Sequence, residues 1–252
     1  MSEELWCVRL GEVPYEEARG LQRRLEAARH TGSTPDVLLL LEHPPVYTKG
    51  RRSRPEELAM GEDWYRRQGI EVADTDRGGA VTYHGPGQLV GYPIVSLRAY
   101  GDDVREYVER MERMMIASLG DAGVEAQLLD GLTGVWTAGA APSADPAPGS
   151  ARKIGSIGVH ISRGITTHGF AVNVNNDLQP FEWIVPCGIE GCRMTSMCRE
   201  LGAEQDMDAV MDVVTERFAT IYERDAVATE HSQLVERIDE RAAAAEAAAP
   251  VR

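Results

Sequence analysis

The chain has 252 residues, 43% of them hydrophobic, which is enough for one large domain with a substantial buried core. Its net charge of −14 argues against general nucleic-acid binding, and no apolar run approaches membrane-spanning length. The acidic opening lacks a long apolar stretch, so no secretory leader is expected and the cytoplasm is the default compartment. Along the chain, a strand is expected over residues 5–10, with Cys7 as a small buried hydrophobe. A helix follows from Tyr15, with Ala18, Leu21, Leu25 and Ala28 on one face, and Thr31-Gly32-Ser33 ends it. Residues 36–42 form a continuous apolar run, the pattern of a central strand covered on both faces, which His43-Pro44-Pro45 breaks.

Residues 49–54 form a basic patch in this acidic chain, either a solvated loop or a dock for an acidic protein partner. Two strands joined by the turn Gly85-Pro86-Gly87 are expected within residues 77–97. An amphipathic helix spans about 102–120, with Asp102 and Asp103 in cap position. The Ala/Pro/Gly-rich stretch 138–151 is expected to be a mobile loop. Two more strands, 153–161 and 165–174, flank the turn Ser162-Arg163-Gly164. Helices at about 195–201 and 207–222 close the fold, and 226–252 is an Ala-rich tail. Strand pairs joined by tight turns demand antiparallel pairing. The expected class is therefore α+β: a single domain over residues 1–225 with a mixed, largely antiparallel sheet flanked by helices.

The chemistry concentrates at Cys187 and Lys153. Cys187 lies between Pro186 and Gly188, a turn setting where a sulfur can be reached, although a buried structural thiol fits the same residues. Lys153 opens a glycine-bearing apolar strand; strand-end lysines usually face solvent, but Gly155 and Gly158 leave room for a ligand. If the fold joins the two, an ammonium about 4 Å from the sulfur at an effective dielectric of about 20 contributes roughly 4 kcal/mol toward the thiolate before desolvation. His84 and His168 are each either a base or orienting group or a satisfied histidine, and His43 is structural. Arg77-Gly78-Gly79 either offers N–H groups and a guanidinium to a polar head group or is a plain turn; no P-loop follows it. The spacing of Cys187, Cys192 and Cys198 matches no common zinc pattern, so no metal is expected.

These segments together resemble the lipoyl(octanoyl)transferase family, also called lipoate-protein ligase B. The matching stretches are 43–48, 77–88, 153–158, 168–173 and 186–189 with Thr195-Ser196, in the expected order. The resemblance implies a fold akin to biotin and lipoate protein ligases. It implies transfer of an octanoyl group from acyl carrier protein to a lysine of lipoyl domains, those of 2-oxoacid dehydrogenase complexes and of the glycine cleavage H protein, with no cofactor. By the same resemblance, Cys187 is the acyl-thioester nucleophile and Lys153 the residue that lowers its pKa and acts as acid/base. Arg77, Gly78, Gly79, Ala80, Val81, Thr82, Tyr83 and His84, with Ser156, Ile157, Gly158, Gly169, Phe170 and Ala171, match the substrate-binding segments. The chain departs from the family pattern in the Ala/Pro insertion between Trp136 and Lys153. An ATP-dependent lipoate or biotin ligase on the same fold is the nearest alternative, though the biotin-ligase Gly-Arg-Gly-Arg signature is missing. A non-catalytic binder of acyl carriers or free acyl chains is the alternative from another class.

Overall fold

A computed structural model describes residues 3–138, 150–189 and 191–247, with backbone alone at Cys187 and 241–247. The expected mobile loop therefore lies, over 139–149, outside the described residues. The chain opens with β1 (Glu3–Glu12), α1 (Tyr15–His30), β2 (Asp36–Glu42), β3 (Val46–Lys49), α2 (Glu62–Arg67), β4 (Glu71–Asp74), β5 (Val81–His84) and β6 (Gln88–Ile94). Then come α3 (Val104–Asp121), β7 (Ala126–Leu129), β8 (Leu132–Thr137), β9 (Lys153–Ser162) and β10 (Ile165–Asn173). Helices α4 (Gln179–Glu182), α5 (Met197–Leu201) and α6 (Met207–Tyr222), strand β11 (Arg224–Ala228) and helix α7 (His231–Ala247) complete the order.

Eight strands form the main sheet in the order β11-β1-β2-β6-β10-β9-β8-β7, and β4-β3-β5 form a second, smaller one. Pairing is parallel only at β11/β1, β1/β2 and β3/β4, so the α+β class holds with a mixed, largely antiparallel sheet. The run at β2 shows why the core reads as it does. Leu38 and Leu40 face α3 and α6, while Val37, Leu39 and Leu41 face α1 and α7, so alternate side chains enter two separate cores. In α1 the residues Ala18, Leu21, Leu25 and Ala28 are buried as expected. Asp103 caps α3 by accepting from the N–H groups of Arg105 and Glu106, whereas Asp102, at φ 56, only bends the chain into it.

Two expectations change, and one element was missed. β5 and β6 do not form a hairpin: β5 belongs to the small sheet and β6 to the large one. The turn between them is locked by other partners, with Gly87 N donating to Glu42 Oε2 at 2.5 Å and Gly87 O accepting from Asn175 N at 2.8 Å. The boundary expected at residue 225 falls inside β11, which pairs with β1, and Leu234 and Ile238 of α7 are buried against the α1 side of the sheet. Strands β7 and β8 form a hairpin that the residue pattern did not signal. Cys7 packs at the edge of the α3/α6 core, and burial pushes its thiol up to about 11. Among the described residues no helix is long and apolar enough to cross a membrane.

Candidate active site

A cavity of about 420 Å³ lies where the two sheets meet. Its walls come from Ala80 and β5 (Thr82, His84), β9 (Lys153, Ser156, Ile157, Gly158), β10 (His168, Gly169, Phe170, Ala171) and the 131–133 turn before and into β8. Arg77 and Gly79 lie ahead of β5, Tyr15 and Tyr92 add aromatic surface, and Arg52 and Arg54 stand among its lining residues. Gly188 and Ile189 close another side.

Lys153 is 2% exposed. Its backbone ties β9 to the segment after Cys187: Lys153 N donates to Arg193 O at 2.8 Å, and Lys153 O accepts from Thr195 N at 2.9 Å. The ammonium donates to Thr133 O at 3.0 Å and lies 5.3 Å from the centre of the Trp136 ring. Glu112 of α3, 8% exposed, accepts from Gly134 N at 2.9 Å; burial raises its carboxyl pKa, and the Gly134 bond and the Lys153 charge pull the other way. Sequence reasoning missed Glu112. The available signal was a carboxylate one turn from Val108 and Met115 on the apolar stripe of α3, where a charge needs a partner.

Cys187 lies in a 3-10 turn over Pro186–Gly188, with Gly188 N donating to Val185 O at 3.2 Å and Ile189 N to Pro186 O at 3.1 Å. The turn character expected from Pro and Gly is present, and the residues on its C-terminal side line the cavity that Lys153 lines.

The segment 77–84 divides by strand alternation. Ala80, Thr82 and His84 face the cavity, while Val81 and Tyr83 face the opposite way into a cluster with Tyr47, Phe181 and Ile184. Gly78 is absent from the lining, and its N–H donates to Val159 O at 2.9 Å, fastening this wall to β9. Arg77, 7% exposed, donates to Thr48 O at 2.5 Å, Thr48 Oγ1 at 2.8 Å and Gly78 O at 3.0 Å, so it braces the wall as well as lining it.

His43, His84 and His168 form a buried aromatic group with Tyr15 and Tyr92. His43 stays structural: it bonds Val13 O at 2.6 Å and Tyr92 OH at 2.7 Å. His84 stacks on Tyr15, 6.5 Å between centroids and 7° between planes, and its Nδ1 meets Gln88 Oε1 at 2.7 Å. His168 occupies left-handed backbone at φ 55 within β10, its N–H donating to Gln22 Oε1 at 2.7 Å and its Nε2 donating to Asp76 Oδ1 at 2.8 Å. The His168 bond holds the Asp76 carboxyl below its usual range, while burial lowers His168, so the pair is a carboxylate with a neutral ring.

Burial holds His43 down to about 4; burial and then the neighbouring His43 hold His84 down to about 3. Both values lie below the roughly 6.5 of an unfolded histidine. The stability these neutral rings confer is fully present above about pH 6.5 and is lost as acid protonates the unfolded chain first, by up to about 1.4 kcal/mol per pH unit per ring. Urea unfolding midpoints should fall steadily from about pH 6.5 toward pH 4, and His43→Gln should flatten that slope. A midpoint constant over this window would mean that both rings are charged in the fold.

Among known proteins, residues 14–219 match the lipoyl protein ligase A/B catalytic domain. An octanoyltransferase of Koribacter versatilis is 46% identical over 215 residues, covering 84% of this chain and 82% of the relative. One of Solibacter usitatus is 47% identical over 218 residues, covering 86% and 93%. Among solved structures, a bipartite lipoate protein ligase from Thermoplasma acidophilum superposes with a TM-score of 0.70 at 18% identity, covering 94% of this chain and 91% of that one.

Proposed function

The chain belongs to the lipoyl protein ligase A/B catalytic-domain family, within it to the octanoyltransferases, and is an acyltransferase; we propose that it carries an octanoyl group from the thioester of an acyl carrier protein to a lysine of a lipoyl domain, by way of an acyl-thioester on Cys187. The observation that carries this reading is the shared cavity: Lys153 and the two residues following Cys187 line one space, beside the apolar Leu132, Ile157 and Phe170. In the first half-reaction the Cys187 thiolate attacks the carrier thioester. The new C–S bond forms, the old one breaks, and the departing carrier thiolate takes a proton relayed by Lys153. A thioester replaces a thioester, so this exchange is near balance. In the second, the acceptor amine sheds one proton, attacks the acyl carbon and loses its second proton as the amide forms, and Cys187 departs as thiolate. Amide formation draws the sequence forward without ATP. The acceptors are lipoyl domains of 2-oxoacid dehydrogenase complexes and the glycine cleavage H protein. The free thiols Cys7, Cys192 and Cys198 suit a reducing cytoplasm.

Mixing the protein with octanoyl-acyl carrier protein and no ATP should add one octanoyl mass, mapping to Cys187 and absent from Cys187→Ala. Product that appears only with ATP, or no adduct at all, sinks the reading. Charge at the cavity mouth is the second test. Arg52 and Arg54 are exposed and, among the described residues, in no ion pair. Reversing both to Glu should slow encounter with an acidic carrier about tenfold at low salt, the deficit shrinking as ionic strength rises. Equal rates for both proteins across that range would return the patch to a solvated loop.

A further inference from the structure

His84 is held in one tautomer by a chain of buried amides. The Tyr83 carbonyl can only accept, and Gln88 Nε2 faces it at 3.2 Å, so the NH2 end of Gln88 is fixed there. The same NH2 donates to Asn173 Oδ1 at 2.9 Å, and Asn173 in turn donates Nδ2–H to the Thr195 carbonyl at 2.9 Å. Every amide in the chain is thus oriented by a carbonyl at one end, and Gln88 Oε1 is left facing His84 Nδ1 at 2.7 Å. Nδ1 therefore carries the proton, and Nε2 carries a lone pair. The ring is 7% exposed and lines the cavity, and among the described residues Nε2 has no hydrogen-bond partner.

We infer that His84 Nε2 is a hydrogen-bond acceptor for the attacking amine, holding the acceptor lysine's N–H in the cavity during the second half-reaction. This rests on the transfer reading proposed above. A lone pair on a neutral ring repels carbonyl and carboxylate oxygens and takes an N–H donor, so it selects the amine rather than the acyl end of the reactants. It does not serve as the base that deprotonates the ammonium. Burial, with His43, Arg77 and His168 facing the ring, keeps it far too weakly basic for that. Its part is positioning, set by the amide chain behind it.

Two substitutions separate the nitrogens. In His84→Asn the side-chain amide can still donate to Gln88, but nothing stands where Nε2 was. In His84→Gln an oxygen can reach the Nε2 position while the Gln88 bond is lost. Acyl loading from octanoyl-acyl carrier protein and amine capture by a lipoyl domain are measured as separate single turnovers. His84→Asn should slow capture about 10- to 100-fold more than loading, and His84→Gln should recover part of it. Nitrogen NMR of the six histidines in the wild-type protein, assigned with His84→Asn, should show His84 protonated at Nδ1 and untitrated near neutrality. Equal slowing of both half-reactions, or a proton found on Nε2, overturns the inference. Failure of the wild-type protein to form a Cys187 adduct would instead defeat the transfer reading, and the spectrum would still decide the tautomer.

Discussion

Replacing Lys153 by Met should lower octanoyl transfer by about 10²- to 10⁴-fold while the protein still folds. Met fills most of the buried space of the lysine stem but brings neither charge nor transferable proton. On the proposed mechanism two contributions would vanish together: stabilisation of a thiolate at Cys187, and the relay that protonates the leaving carrier and deprotonates the amine. Lys153→Arg should not rescue. A guanidinium keeps its proton throughout the working range, and the lysine stem is confined on one side by Gly134, where an added Cβ would stand 2.8 Å from Cε. Single-turnover rates decide the matter. A Lys153→Met protein within tenfold of wild type would remove this residue from the chemistry.

Gly134→Ala should disturb the same ammonium while leaving Lys153 itself unchanged in sequence. Gly134 has φ +112, a backbone region that L side chains rarely adopt, and a Cβ there would lie 2.6 Å from Gly155 O as well as against Lys153. The carbonyl belongs to the neighbouring strand and cannot swing aside as a side-chain end could. Either the β8–β9 pairing opens or the lysine shifts, and the Gly134 N–H that satisfies Glu112 is drawn off with it. A loss of about 2–4 kcal/mol in unfolding free energy is expected, accompanied by a large loss of transfer. Chemical unfolding and turnover should fall together. An alanine protein with unaltered stability would show that β8 adjusts freely at this point.

The parts of the fold legible in the residues are those where one local signal met no competitor. The 36–42 run has the pattern of a strand covered on both sides, and it is one. The Ser162-Arg163-Gly164 turn joins β9 to β10 because Arg163 and Gly164 both take positive φ, as a tight hairpin requires. What stayed hidden depended on partners distant in sequence. Gly85-Pro86-Gly87 announces a turn, but not that the turn passes from one sheet to the other. β7 has only four residues and adjoins Asp130-Gly131, and its short run carries no periodicity of its own. The Ala-rich end looked featureless because, among the described residues, its buried apolar anchors are Leu234 and Ile238, one turn apart. At the site, the 77–84 segment was visible as a block, but strand alternation sends Val81 and Tyr83 elsewhere. Gln88 gives no sign in the sequence that it fixes a ring four residues away.

Under the proposed transfer, one packing detail would bear on which acyl groups this cavity admits. Phe170 lines it, and the ring occupies ground that a side chain at Gly91 would claim, since a Cβ there would come within 2.1 Å of its tip. The reach of the cavity on that flank is therefore calibrated by two facing positions on adjacent strands, one empty so that the other can lie back. A larger residue at 91 would tip the ring forward and shorten the ruler; a smaller one at 170 would lengthen it. On that proposal, single substitutions at these two positions should shift chain-length preference while leaving the polar groups of the site in place.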